Sequence, residues 1–592
     1  MAPTRPRIGM PVITPHAYAG AVVRHIRWTI AWPSDTTSHA SDVVAASLAH
    51  LTGERSLHAV DADAGSPAAR LNAAALSLAL RLHGRSGPEF EGFVAAAPHG
   101  ADVHGFGFCF VEPIMARLAT ESAVQAVHQA ITRGPAACRI DDLLQEAHRA
   151  IGNVWPSKDA ARVLLEAWHR GIPVTRLTDH VPVYRLGHGR RQAKLFNCFT
   201  HRTPQVANVL TTSKITATQV LLQLGFPVPP NQIVQTVDEA RAFVARIGYP
   251  VVIKPNAADF GRGVTAEIRG DGQLVAAFEH ARAFGDVLVE RHVPGENYRL
   301  LVIDGVCRGV NHRVQPDVIG DGTHTIAELM RAKIAAAGVG KGLGPDDLLV
   351  AGFLAGLGRR LDDVPAAGER VRTSAVANAS AGGTRVPVTD LVHPANKRLA
   401  ESVAKALDID LAGIDLITPD VTRPWHEVGG AINEVNVNPG LPFPEAPGWV
   451  LDGLFPDGSN GRVDITVVLG DLSGRETGAI VDWIRRGRVP SSRNAILGKP
   501  ADTTGRRQPL DCAQAQPVVD QLLGRPELDS LVVQAAWDGT GPLVLPVPYQ
   551  ARLLVSPESA HQAPALERLA SAMLHDPTVA VATFDIRAFE RE

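Results

Sequence analysis

Lys254 closes the apolar run Tyr249-Pro250-Val251-Val252-Ile253, and a lysine at the end of a buried strand either snorkels outward or faces an anion. Residues 256–265 follow as NAADFGRGVT. Glycines let backbone N–H groups approach a phosphate closely, and Arg262, between Gly261 and Gly263, adds a charged donor. An ordinary turn explains the same residues, and a GxxxxGK[ST] phosphate loop is absent from the stretch. Glu290 ends a second apolar run, Val287-Leu288-Val289, where its carboxylate could accept hydrogen bonds from an amine or a ribose hydroxyl. Residues 432–440 read INEVNVNPG. Glu434, Asn436 and Asn438 alternate with Val435 and Val437, so a strand would put three oxygen-bearing groups on one face. Asp415, inside the apolar run Ala412–Ile417, supplies another carboxylate. Carboxylates and an amide oxygen converging this way suit Mg²⁺, which takes few protein ligands and completes its shell with phosphate and water. An edge strand with a polar outer face is the competing reading.

Positioning such groups takes strands that alternate with helices. The pattern predicts a helix over Ile215–Leu224 stopped by Gly225, and another over Val237–Ile247 with Asp238 in its first turn. Short apolar runs between such helices imply α/β layering across about 205–450. Residues 1–160 are Ala-rich, with helix-like runs at Ala68–Leu82 and Val111–Thr132; His104, His128 and His148 are scattered there without catalytic spacing. Asp159–Arg170 reads as an amphipathic helix leading into a strand at Val174. Residues Phe455–Gly461 read as a linker into a smaller α/β piece. The expected domains are therefore 1–160, 161–460 with a lead-in at 161–204, and 461–592.

Composition narrows the class. At 592 residues the chain is too long for one core, and two to four domains of ~100–200 residues are expected. An apolar share of 45% with 20% charged residues is that of a soluble globular protein. A net charge of −3 gives no reason to expect nucleic acid or an anionic membrane as partner. Five cysteines lie far apart with no CxxC pair, which argues against a disulfide framework or a zinc knot and suits a reducing cytoplasm. Met1–Met10 lacks the apolar core of a secretion signal, and the run Leu71–Leu82 is too short to span a bilayer.

Lysine after a strand, Gly-rich loop, strand-end glutamate, aspartate, then ExN before proline: in this order the set resembles the ATP-grasp superfamily. The resemblance implies an ATP site between two α+β lobes. Lys214 and Lys254 would contact phosphates under the Gly261-Arg262-Gly263 loop, Glu290 would sit near adenine, and Asp415, Glu434 and Asn436 would hold Mg²⁺. The reaction would phosphorylate a carboxylate, and an amine would then attack the acyl phosphate. Further segments are similar to cyanophycin synthetase, which polymerises arginine and aspartate on an aspartate backbone. They include RLGHG at 185–189, GYPVVIKP at 248–255, YRLLVIDG at 298–305, GDGTHTIAEL at 320–329, NASAGGT at 378–384 and VTDLVHP at 388–394. By that likeness Arg299 would meet the polymer or acyl phosphate, and Ser380, Gly382 and Gly383 would cradle a substrate carboxylate. Two departures stand out: the arginine expected near Ser374 has Arg372 as its nearest counterpart, and the first zone lacks a His/Glu-rich peptidase-like motif.

The last zone departs further. In full-length members a Mur-ligase-like module follows, opening with a strand and a GTNGKT-type phosphate loop. Here Asp464–Leu469 reads as the strand, but residues 470–477 read GDLSGRET, with Arg475 for the lysine and Asp471 and Glu476 where phosphate should bind. Leu531–Gly541 resembles a later strand with Gln534 for its acidic residue, and the zone runs on for only about 120 residues. It reads as a truncated, inactive α/β module. An ATP-grasp core beside such a module resembles the shortened type-2 cyanophycin synthetase, which joins preassembled β-aspartyl-arginine dipeptides to a polymer and forms a homodimer or larger assembly. Two other readings stay open: a ligase making a short peptide or other amide, and a non-catalytic partner of an active synthetase.

Overall fold

Side-chain caps fix the helix starts that matter. Ser213 Oγ accepts from the Thr216 N–H at 3.4 Å and opens α1 (Lys214–Gln223). Thr236 Oγ1 accepts from the Glu239 N–H at 3.2 Å and opens α2 (Val237–Ile247), whose first turn carries Asp238 and Glu239 at the end where acidic groups are favoured. The computed structural model describes residues 156–257, 263–337, 344–374, 382–469 and 521–535, with the strands 7–8, 12–18, 21–31, 104–109, 493–497, 551–555 and 581–583 and helical positions at 75, 79, 117, 119–125 and 127–128. The expected helices Ala68–Leu82 and Val111–Thr132 thus fall largely outside the described residues. Two compact units are present, one of Cys198–Gly453 and one of Met1–Asn197 with Leu454–Glu592.

Within Cys198–Gly453, strands β1 (Asn231–Val234), β2 (Val251–Pro255), β3 (Thr265–Ile268) and β4 (Val287–Arg291) pair antiparallel in the order β3-β2-β4-β1. One face presents Val234, Val251, Ile253, Val287 and Val289 to Phe243 and Val244 of α2 and to Leu274 and Phe278 of α3 (Asp271–Arg282). Lys254 and Glu290 belong to the other face.

A second sheet runs β7-β6-β5-β8-β9, all antiparallel, from β5 (Glu296–Ile303), β6 (Val306–Val314), β7 (Thr384–Pro387), β8 (Leu411–Thr418) and β9 (Ala431–Asn436). Leu300, Val302, Val310, Ile414, Leu416 and Val435 pack from it against Leu399, Ala400 and Val403 of a helix at Pro394–Ala406. Because side chains alternate, a second face carries Arg299, Asn311, Arg313 and Asp415, with the buried Leu301 and Ile303 at one end. Strands Asp317–Ile319 and Arg370–Arg372 make a separate ribbon over a small core of Val318, Ile326, Met330, Val350, Leu354 and Val371. The helix Ile326–Ala337 there opens with a reciprocal cap, Glu328 N–H to Thr325 Oγ1 at 3.3 Å and Thr325 N–H to Glu328 Oε2 at 2.9 Å.

In the other unit, Asp464–Leu469 is central in a parallel five-stranded sheet, between Leu528–Ala535 and Ala551–Val555, with Arg493–Leu497 and Val581–Thr583 outside them. Residues 470–477 lie outside the described residues. The lead-in Lys158–His169 helix and the strands Val174–Arg176, Val183–Leu186 and Ala193–Phe196 group with this unit. Glycine is required at the seam: a Cβ on Gly189 (φ +53) would lie 2.1 Å from Leu528 O, and one on Gly187 (φ +80) 2.7 Å from Gly461 O.

His188, between those glycines, is 3% exposed, and its N–H bonds Gly461 O at 2.8 Å. Burial first, and then the charges of Arg462 and Arg185, push its pKa down to about 3. The unfolded chain takes that proton near pH 6.5 and the folded one refuses it, so protons favour unfolding below pH ~6.5. Stability is expected to fall by about 1.4 kcal/mol per pH unit through this residue alone. Urea midpoints from pH 7.5 to 5 should drop more steeply in the wild type than in His188→Asn; parallel slopes would refute the assignment.

Candidate active site

Four strands each contribute one residue to a row across the polar face of the larger sheet. Asn311 on β6 stands opposite Arg299 on β5, Arg299 opposite Asp415 on β8, and Asp415 opposite Glu434 on β9. Arg299 grips both carboxylate oxygens of Asp415, through Nε to Oδ1 and through its terminal nitrogen to Oδ2 at 2.8 Å. Arg313, the next residue on that face of β6, adds a bond to Oδ2 at 3.0 Å. Asp415 is 1% exposed. Burial would push its carboxyl up, but Arg299 and Arg313 outweigh it and hold the carboxyl below its ordinary range. Gly413 makes room for the clamp: a Cβ there would sit 2.6 Å from Pro439 Cβ and 2.9 Å from Arg299 Cδ.

The smaller sheet sends two further groups to the same place. Lys254 Nζ bonds Glu290 Oε1 at 3.0 Å, both buried, and Asn433 Oδ1 at 3.3 Å. Lys214, first residue of α1, lies 3.6 Å from Glu434 Oε1. Asn256, just past β2, joins these elements: its Oδ1 accepts from the Ile215 N–H at 3.1 Å, and its backbone O from the Lys214 N–H at 3.4 Å.

The structure thus brings together Lys214, Lys254, Glu290, Arg299, Asp415 and Glu434. Asn436 joins them through the register Gly413–Asn436, with its Nδ2 on Gly413 O at 3.4 Å. Asn438 turns elsewhere: the strand has ended, and its Oδ1 accepts from the Cys198 N–H at 3.3 Å. Gly263 (φ +71) packs so closely that a Cβ would meet Pro255 Cγ at 2.7 Å. Gly261, Arg262 and Ser380 lie outside the described residues. Gly382 (φ +93) and Gly383 lead into β7, whose Arg385 pairs with Arg313. Arg372 bonds Gln315 Oε1 at 3.0 Å and lies 3.5 Å from Glu267.

Sequence reasoning passed over Arg313, Asn311, Asn433 and Asn256. Alternation along 306–314 could have flagged the first two, because Asn311 and Arg313 share a face once β6 is paired with β5. Asn433 gave no such signal, since it enters the site through a bulge: Glu434 faces Asp415 while Ile432 faces Leu416, leaving Asn433 as the extra residue.

The donor set can be tested against a divalent cation. Among the described residues no cluster of three or more His, Cys, Asp or Glu side chains is placed to hold a metal alone. Asp415 and Glu434 are cross-strand neighbours, and Asn436, with its amide nitrogen on Gly413 O, has its oxygen left to accept. Two carboxylates and an amide fit a hard cation that arrives with phosphate oxygens of its own. The positive groups now resting on those carboxylates fit the phosphates.

Residues 213–299 match the family described as the carbamoyl-phosphate synthase L chain, ATP binding domain. The chain is 35% identical over 334 residues to the cyanophycin synthetase of Trichormus variabilis, covering 53% of this chain and 36% of that protein. With the cyanophycin synthetase of Geminocystis herdmanii it shares 33% over 394 residues, 62% of this chain and 44% of the other. The glutathione biosynthesis bifunctional protein GshAB of Streptococcus mutans is 28% identical over 320 residues, 50% of this chain and 39% of that protein. The matches therefore span less than half the length of these relatives. No helix among the described residues is long and apolar enough to cross a membrane. By these matches the chain is similar to the cyanophycin synthetases over roughly half its length, and residues 213–299 within that stretch match an ATP-binding domain family.

Proposed function

We propose that the chain is an ATP-dependent carboxylate–amine ligase that extends a cyanophycin-like polymer with β-aspartyl-arginine dipeptides. The γ-phosphoryl group of ATP passes to the polymer's terminal carboxylate, giving ADP and an acyl phosphate. An aspartyl α-amine then attacks the acyl carbon, phosphate departs with the bonding electron pair, and the amine loses a proton as the amide forms. Lys214 and Lys254 hold the phosphates with the Gly261-Arg262-Gly263 loop, Glu290, bonded to Lys254, lies toward the adenine, and Arg299 steadies the acyl phosphate. Asp415, Glu434 and Asn436 hold Mg²⁺, which when bound would offset charge on the transferring group. Ser380, Gly382 and Gly383 cradle a substrate carboxylate. The enzyme works in the cytoplasm as a homodimer or larger assembly, and the module after residue 460 takes no part in the chemistry.

One observation carries this reading most of the way: lysines from two other elements reach the side-chain set that also contains the Arg299–Asp415–Glu434 row. The likeness to GshAB supports a second reading, in which the same chemistry makes a short peptide. ADP release with Mg·ATP and a primer is expected with β-aspartyl-arginine and not with free aspartate plus arginine. Turnover with the free amino acids would overturn the reading that preassembled dipeptides are the substrate. Turnover with neither would move the assignment to another peptide, and product length on a gel separates polymer from short product.

A further inference from the structure

The polar face carries more positive charge than its carboxylates settle. Arg299 and Arg313 both rest on Asp415. Arg385, cross-strand partner of Arg313 on the edge strand β7, has no acidic group within ion-pair distance among the described residues. Arg299 takes both oxygens of Asp415, and Arg313 has to share Oδ2 with it, so one carboxylate faces two guanidinium groups.

A second observation is independent of charge. Asn311, 3% exposed and directly opposite Arg299, keeps its Nδ2 without an acceptor among the described residues. Buried donors in folded proteins nearly always have partners, and an orphan beside a surplus cation is the signature of a place for an oxygen anion. Arg313 and the Asn311 amide together offer what the two oxygens of one carboxylate accept.

We infer that Arg313 and Asn311 bind the carboxylate of the acid substrate, Arg313 becoming available when the nucleotide's cation takes over Asp415. This rests on the ligase reading above. In the free protein Asp415 keeps the arginines occupied. Once Asp415 serves the cation, both arginines need a new counter-charge, and the acid supplies it. Cation–nucleotide and acid must then raise each other's affinity by the same factor.

The test is calorimetric and uses the full chain. The probes are a (β-Asp-Arg)₃ peptide with a free C-terminal carboxylate and the same peptide amidated, each with and without Mg·ADP. The wild type should prefer the acid by about tenfold or more, and only with Mg·ADP present. Arg313→Gln should abolish that preference without weakening Mg·ADP, Arg313→Lys should recover part of it, and Asn311→Ala should lower it by about tenfold. An Arg313→Gln protein with a wild-type urea midpoint that still prefers the acid would overturn the inference. Should the wild type bind neither peptide, the polymer reading falls, and inorganic phosphate with Mg·ADP becomes the probe. Weaker phosphate binding by Arg313→Gln then supports the anion site, and unchanged binding overturns it.

Discussion

Glu434→Ala is expected to lower turnover by ~10²–10³-fold, the usual loss when one electrostatic group facing a transition state is removed. Glu434 sits at the outer end of the charged row, opposite Asp415 and 3.6 Å from Lys214 Nζ. Its side chain is 30% exposed, while its neighbours Ile432 and Val435 on β9 are buried in the core, so the fold does not depend on it. The loss should therefore appear in kcat for ADP release, with a urea midpoint near that of the wild type. Glu434→Gln, which keeps an oxygen but not the charge, should fall between. Unchanged activity in Glu434→Ala would remove this residue from the proposed cation site.

Asp415→Asn is expected to strike stability as well as activity. Arg299 and Arg313 would be left with no full counter-charge beneath them, and breaking a buried pair from one side costs about 3–5 kcal/mol. Because Asp415 is held below the ordinary carboxylate range, its contribution is complete above the unfolded value near pH 3.9 and is lost as pH falls through the lower folded value. The gap between wild type and variant should thus stay constant from pH 5 to 9 and close only below about pH 4. Denaturation curves across that range decide the matter; a gap under about 1 kcal/mol at pH 7 would show that the pair does not stabilise the fold.

Those two residues were legible in the sequence because each sits in an apolar run whose alternation says which way it points. The same holds for Lys254 and Glu290, which ended predicted strands and meet across β2 and β4. The chain alone could not reveal which strand lies next to which. Arg313 becomes a neighbour of Asp415 only because β5 lies between β6 and β8, a pairing that joins residues 299 and 415. Asn433 was hidden for another reason: a bulge breaks the alternation from which faces are read. The seam at Gly187 and Gly189 was equally opaque, since the backbone atoms that forbid a side chain there come from residues 461 and 528.

The one-per-strand row also governs how the sheet can assemble. Residues 315–410 lie between β6 and β8, so β8 must find β5 after a long excursion, and apolar runs such as LAGIDLIT could dock in several alignments. A slip of one residue would turn Asp415 toward Leu399 and Val403 and leave both arginines without an acceptor. Either fault alone costs more than a mispaired strand could recover. The charged row is thus a key cut for a single alignment, and the chain cannot close the sheet without also assembling the site.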